Sequence, residues 1–375
     1  MDFIVSSSNL LHHLQAVSKV ISGKSKIAIL DNFLFRVESG MLEITGSDLE
    51  TTLITKLSLE SSNADGIIAI DAKKILEIIR ELPEQPLTFN IDLDSLKVEI
   101  VSATGKYSLM GQPGDDFPQI PLLRAEKTTS FVFPSDTLTK AISSAIFATA
   151  DDTVRPIFNG IFVEILPSEV NFVATDAHKL VKYTRKDIKT GKEASFIFPK
   201  KPASIVKNIL PKEAVDVTIE FDEKNVILRF DNFKMICRLI EGNYPNYNSV
   251  IPQENPNKLV VDRLEMFSAL KRVSIFSNQA SSLVGLNITG NVLKIYAQDI
   301  DYSISGEEEI KCQYEGDDML IGFKSNFLME ILANLNTTEV LIELSDPSRA
   351  GLIFPKDNED ENEEVLMLLM PMMIS

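Results

Sequence analysis

Read for the spacing of its apolar positions, the chain repeats itself. Three stretches alternate apolar and polar residues as a strand does, reach a small or polar residue and then an aspartate, and resume the alternation. They are LEITGSDLETTL (42–53), NFVATDAHKLVKY (171–183) and LKIYAQDIDYSI (293–304). Their aspartates, Asp48, Asp176 and Asp299, lie 128 and 123 residues apart. A second element follows each aspartate: IDAKKILEIIREL (70–82), FPKKPASIVKNIL (198–210) and IGFKSNFLMEILANL (321–335). Each starts as a strand end, meets a lysine and then runs apolar at helical spacing. Lys73, Lys200 and Lys324 are 127 and 124 residues apart. A third element precedes each aspartate, at 6–21, 134–149 and 261–277, and opens on a Ser or Asp suited to cap a helix. A fourth closes each unit: KYSLMGQPGDDFPQI, FKMICRLIEGNYPNYNSVIP and EEVLMLLMPMMIS read as a strand followed by a proline turn.

Three events in register predict three copies of a unit of about 125 residues, each built as helix, strands, helix, strands. Breaks near LLRAEKTT (122–129) and PQENPNK (252–258) give domains at 1–125, 126–252 and 253–375. No helix intervenes between most strands, so the sheets are expected to be antiparallel meanders and the class α+β. Two helices per unit would cover one face of its sheet.

Composition narrows the function. Hydrophobic residues make up 44% of the chain and charged residues 24%, which is ordinary for a globular protein. Cys237 and Cys312 stand far apart with no CxxC, which argues against a disulfide scaffold or a zinc site and fits a reducing cytoplasm. The start, MDFIVSSSNLL, has no basic region leading into a long apolar run, and no stretch approaches a membrane span, so no membrane partner is expected. Catalytic groupings are thin. Of three histidines, His12 and His13 are adjacent and cannot share a helix face. His178 follows Asp176 by two residues, but no third member completes an acid–base site. SKVISGKS ends like a phosphate-binding loop, yet Ser18 replaces its first glycine and the GKS follows a helix instead of opening one. No enzyme activity, metal or cofactor is expected.

Net charge is −17, which taken whole speaks against nucleic acid. The charges are segregated, however. Residues 6–26 hold Lys19, Lys24 and Lys26 with no acid, and residues 200–213 hold four lysines against Glu213, so each segment is +3. Residues 261–278 are +1 and the other three helical segments are neutral, leaving −24 on the rest of the chain. Helices facing one way would form a basic surface in an acidic body, suited to a polyanion held at long range. For any single lysine a solvated helix face is the better account, and only the segregation as a whole sets the two readings level. The same surface would also serve a non-catalytic scaffold that binds acidic partners, though three long units make a poor solenoid.

The last eleven residues, VLMLLMPMMIS, are nearly all apolar and follow the acidic run DNEDENEE. They need a cover: their own fold, a membrane or a partner. They are too short to span a bilayer.

GSDLE (46–50), VRPIFNG (154–160), ATDAHKL (174–180), FPKK (198–201), EGNYPNY (241–247) and LLMPMM (368–373) together resemble the bacterial sliding-clamp family, the beta subunit of DNA polymerase III, over the whole chain. The resemblance implies two three-domain chains joined head to tail in a ring, with helices around duplex DNA, sequence-independent sliding and no hydrolysis. It implies a groove on the second and third domains that takes Gln-Leu-x-Leu-Phe-type peptides of the replicative polymerase, clamp loader and repair proteins. That groove would be formed by Phe158, Thr175, Ala177, His178, Lys179, Leu180, Pro245, Val250, Leu368, Leu369, Met370, Pro371, Met372 and Met373. Flexible methionines suit several ligand shapes. Basic family positions fall on Lys24, Lys73, Lys200 and Lys201 for DNA, and the dimer contact on Tyr107, Leu109, Ile275 and Phe276. Departures stand at Ala177, Lys179 and Ser249, where the family often has Gly, Arg and Arg, and at Pro156, Ile157 and NQASSLVG (278–285) near the pore.

Overall fold

The computed structural model describes residues 1–23, 26–119, 128–358 and 360–374. Six α-helices occupy the six helical segments: α1 (Ser7–Ser18), α2 (Ala72–Arg80), α3 (Ser135–Ile146), α4 (Lys200–Ile209), α5 (Arg263–Val273) and α6 (Ser325–Ala333). Side-chain caps start three of them. Ser6 accepts from the Asn9 amide at 3.2 Å, Asp71 from Lys74 at 2.8 Å and Asp262 from Glu265 at 2.7 Å. Each helix is short, so its stability comes from the buried stripe and not from propensity. On α2 that stripe is Ala72, Ile75 and Ile79, which leaves Lys73 and Lys74 facing out.

The contacts divide the chain into two compact bodies, residues 1–138 with 204–239, and residues 139–203 with 240–375. Each body holds a nine-stranded sheet and a smaller one, of five strands in the first body and four in the second. Every pairing is antiparallel, as strands joined without crossover helices require.

The sheets do not stop at the repeats. In the first body Thr51–Ser58, the strand after the first repeated aspartate, pairs with Phe233–Arg238, the closing strand of the next repeat. Leu53 faces Met235 and Thr55 faces Phe233. In the second body Lys179–Arg185 stands in the same relation to Glu363–Leu369, with Leu180 opposite Leu368 and Arg185 opposite Glu363. These are strands with bare edges if each repeat folds alone, and an unpaired edge exposes a row of donors and acceptors. Pairing with the next repeat satisfies that row. Glu363–Leu369 also pairs on its other side with Gly351–Pro355, so it is an interior strand.

Among the edge strands, two are counterparts of strands that pair at the junctions. Lys106–Met110 ends the five-stranded sheet of the first body, and Ile304–Lys311 ends the four-stranded sheet of the second. Both carry charge, including Glu307, Glu308 and Glu309, a usual guard on an exposed edge. The first expected domain break, at 122–129, lies almost wholly outside the described residues.

Candidate binding groove at the carboxy-terminal strand

The repeated aspartates prove to be turn formers. Asp48 Oδ1 accepts from the amides of Glu50 at 3.1 Å and Thr51 at 2.7 Å. Asp176 Oδ1 does the same with His178 and Lys179, both at 2.9 Å, and Asp299 Oδ1 accepts from Asp301 at 3.0 Å. A short carboxylate that bonds its own backbone two or three residues on closes the hairpin. In the second repeat the turn puts Ala177 at φ 72°, in the left-handed region. This accounts for the glycine expected there, since a Cβ strains that backbone. Burial pushes the Asp176 carboxyl up, but the bonds from the Lys179 ammonium and the two amides outweigh it, so the group sits below the usual carboxylate range. Asp176 is thereby committed to the turn, and the imidazole of His178 stacks on Phe327, centroids 5.6 Å apart. No acid–base pair is formed.

The carboxy-terminal strand runs along this hairpin. The His178 carbonyl accepts from the Met370 amide at 2.9 Å, and the Gly322 carbonyl from Met372 at 2.8 Å. Gly322 is required for that approach, because a Cβ there meets the Met372 carbonyl oxygen at 2.6 Å. The strand's inner residues Met367, Leu368 and Leu369 are buried. Beyond them the chain opens to solvent: Met370 is 42% and Met373 79% exposed, while Pro371 and Met372 are half-buried.

Leu180 and Leu368 join Val173, Tyr247, Ala350 and Leu352 in one apolar cluster. Phe162 and Tyr244 pack against it, stacked at 4.6 Å, and Phe158 meets Tyr244 edge-on at 5.9 Å. Ala177, His178, Pro245 and Val250 are exposed around this floor. Thr175 is buried, with its hydroxyl donated to the Lys179 carbonyl. The expected residues lie together, but Phe158, Thr175, Leu180 and Leu368 are buried beneath the surface, and two more depart from the expectation of an open wall. Leu369 is fully buried and forms no open surface. Lys179, expected on the rim, is 4% exposed and held between Asp176 Oδ2 at 2.6 Å and Glu330 Oε2 at 3.0 Å. A charge that far from water needs partners, and it has two carboxylates and the Phe327 ring 4.3 Å away.

A second polar cluster fastens the other end of the strand. Buried Glu363 accepts from the Tyr183 hydroxyl at 2.9 Å and pairs with Lys140 at 2.6 Å. Arg185 bonds Asp187 through two nitrogens and Asp360 through a third contact at 2.5 Å. The Asp187 carboxylate first, and Asp360 after it, hold the guanidinium firmly charged against the cost of burial.

Residues missed in the sequence are Phe162, Tyr244, Tyr247, Lys324, Phe327 and Glu330. Tyr244 and Tyr247 stood in EGNYPNY, and Lys324 in the repeated lysine column. Phe327 and Glu330 carried no signal beyond helical spacing.

The other expected positions are spread out. Lys73 is exposed on α2, with Glu77 4.0 Å away. Lys201 is exposed at the start of α4, while Lys200 pairs with Asp151 at 2.8 Å. Lys24 lies outside the described residues. Tyr107 and Leu109 are half-buried on the open edge strand of the first body. Ile275 is 72% exposed, and the Phe276 ring lies against Gly306 of the other open edge. Among the described residues no helix is long and apolar enough to cross a membrane, and no group of three His, Cys, Asp or Glu is placed to hold a metal ion.

Comparison with known proteins agrees with this arrangement. The family models for the N-terminal, central and C-terminal domains of the DNA polymerase III beta subunit match residues 1–121, 132–246 and 248–373. The beta sliding clamp of Haemophilus influenzae is 30% identical over 99% of this chain and 100% of its own. That of Proteus mirabilis is 31% identical over 92% of this chain and 94% of its own. The crystal structure of the Pseudomonas aeruginosa sliding clamp bound to griselimycin superposes with a TM-score of 0.94 at 27% identity, covering 100% of both chains. The chain therefore belongs to the DNA polymerase III beta subunit family, the non-catalytic sliding clamps of DNA replication.

Proposed function

We propose that two copies of this chain, each of three domains at 1–125, 126–252 and 253–375, close head to tail into a ring around duplex DNA in the cytoplasm. The observation that carries this reading is that the counterparts of the strands joined at the two junctions lie, in the first and third repeats, at sheet edges. At each junction, the strand after a repeated aspartate pairs with the closing strand of the next repeat. The strand after the third aspartate, Ile304–Lys311, and the closing strand of the first repeat, Lys106–Met110, each lie at a sheet edge with no strand paired on the outer side among the described residues. A second copy supplies both partners. In the first junction Leu53 faces Met235. Leu53 corresponds to Gly306 by its hairpin pairing, and Met235 corresponds to Tyr107 by its own. The same rule then sets Gly306 opposite Tyr107, Ile304 opposite Leu109 and Glu307 opposite Lys106 of the second copy. Phe276, resting on Gly306, would meet Tyr107, giving an apolar centre with a charged rim.

The ring slides, so its contacts to DNA are to phosphates and carry no sequence preference. Lys73 and Lys201, exposed at helix starts, are suited to this, and Lys24 and Lys200 complete the proposed set. The apolar floor around Leu180, Tyr244 and Leu368, rimmed by His178, Val250 and Met370 to Met373, takes peptides of the replicative polymerase, clamp loader and repair proteins. One end of the polymerase is thereby tethered to a ring that cannot leave closed DNA.

The test is assembly. In sedimentation velocity Leu109→Asp should run as a monomer. Lys106→Glu and Glu307→Lys should each weaken the dimer, and the two together should restore it. A dimeric Leu109→Asp, or charge reversals that fail to rescue one another, would rule out this register.

A further inference from the structure

We infer that Lys179 is a positioning residue of the groove: its buried ammonium, shared by Asp176 and Glu330, locks the Asp176–His178 turn onto α6 and so sets the wall that a partner peptide meets. The inference rests on the groove reading above and reaches beyond it, because it assigns Lys179 no contact with the peptide.

The argument is geometric. The turn at Asp176–His178 belongs to the second repeat and α6 to the third. Lys179 is the bridge between them, 2.6 Å from Asp176 Oδ2 and 3.0 Å from Glu330 Oε2. An ammonium has three donors, and the third side of this one is covered by the Phe327 ring at 4.3 Å. Phe327 and Glu330 are three residues apart on α6, hence on one face. The Lys324 ammonium also lies over the Phe327 ring, at 4.9 Å, and His178 stacks on the same ring. The turn's free carbonyl, that of His178, carries the Met370 amide. Helix, lysine, turn and tail thus form one chain of contacts, and the exposed methionines hang from its end. With Lys179 4% exposed, a peptide cannot reach the ammonium without dismantling the lock.

Removing the ammonium leaves two carboxylates facing each other across the gap. Their repulsion should lift the turn from α6 and carry the tail with it. If the turn then stays docked about a tenth of the time, peptide affinity falls by the inverse of that fraction, roughly tenfold. An arginine can still bridge both carboxylates.

The experiment uses the full chain and a fluorescein-labelled Gln-Leu-x-Leu-Phe-type peptide, read by anisotropy. Lys179→Met should weaken binding roughly tenfold, Lys179→Arg should bind as the parent does, and the dimer should be unaffected in all. A second readout needs no ligand. The chain has three histidines, so the ring-carbon resonances of selectively labelled histidine resolve His178. Its ring-current shift from Phe327 should be lost in Lys179→Met and kept in Lys179→Arg. Glu330→Gln, altering a half-exposed helix residue, should move both readouts the same way and covers the case in which Lys179→Met folds poorly. Unchanged peptide affinity or an unchanged His178 shift in these variants overturns the lock. A parent chain that binds no peptide while the His178 shift still responds would leave the lock standing and refute the groove.

Discussion

At the scale of single residues, two side chains bear more of the architecture than their surroundings suggest. Ala177 holds a left-handed backbone that costs a non-glycine residue about 1 kcal/mol, and the three bonds accepted by Asp176 hold it there. His13 is the second. It is buried on α1, its Nδ1 lies 2.6 Å from the Thr55 hydroxyl, and its ring packs on Phe233 at 5.5 Å. Thr55 and Phe233 are the pair at the first sheet junction. Burial above all, then the neighbouring His12, pushes the His13 imidazole down to about 4. Its folded value is therefore depressed below the usual 6.5. Protonation favours the unfolded chain, so the stability His13 contributes is whole above pH 6.5 and drains as pH falls toward 4. Between pH 7 and 4.5 the loss should be about 2 kcal/mol. Urea titrations of the parent and of His13→Leu at both pH values check this. The parent should lose more stability over that interval, and equal losses would remove His13 from the junction's energetics.

At the scale of elements, the carboxy-terminal segment divides into two parts with separate duties. Glu363–Leu369 is an interior strand fastened by Tyr183, Lys140 and the Arg185 cluster. Residues 370–374 lie past the sheet, held mainly at Met370 and Met372. Deleting residues 370–375 should therefore abolish peptide binding and leave the dimer intact, with melting shifted by only a few degrees. Anisotropy and differential scanning calorimetry on one preparation separate the two. Loss of folding would mean that the segment is core and not wall. Much of this was legible from local chemistry. Ser6 and Asp262 announced their helices, and Asp48, Asp176 and Asp299 recurred because each closes a hairpin by bonds within four residues. By sequence Lys179 reads as a rim residue because one of its two carboxylate partners, Glu330, lies in another repeat. By sequence Glu330 is only one charge in a neutral segment, and nothing local tells which carboxylate a lysine will meet across about 150 residues. The pairing of strands across repeats was hidden for the same reason: an alternating pattern specifies a face, not a neighbour.

At the scale of the whole molecule, a net charge of −17 has to coexist with DNA. Under the proposed reading, attraction from a few helical lysines would give weak, salt-sensitive contact, which suits sliding. Lys73→Glu combined with Lys201→Glu should lessen the salt dependence of duplex binding, by about one unit of logarithmic slope per lysine, with no change in base preference. Tight, salt-resistant binding to one sequence would be incompatible with a sliding ring. The spliced sheets also carry a consequence for how the chain is made. Tyr183 and Glu363 sit on partner strands and are separated by 180 residues of sequence. At a ribosomal rate of about 5–20 residues per second, the first strand waits roughly 10–40 seconds for its partner to emerge. Throughout that time its apolar edge is bare, so the nascent chain is at its most prone to misassembly after two thirds of it already look finished. A cell short of holding chaperones should accumulate this protein as aggregates that form during translation, before any folded copy has the chance to unfold.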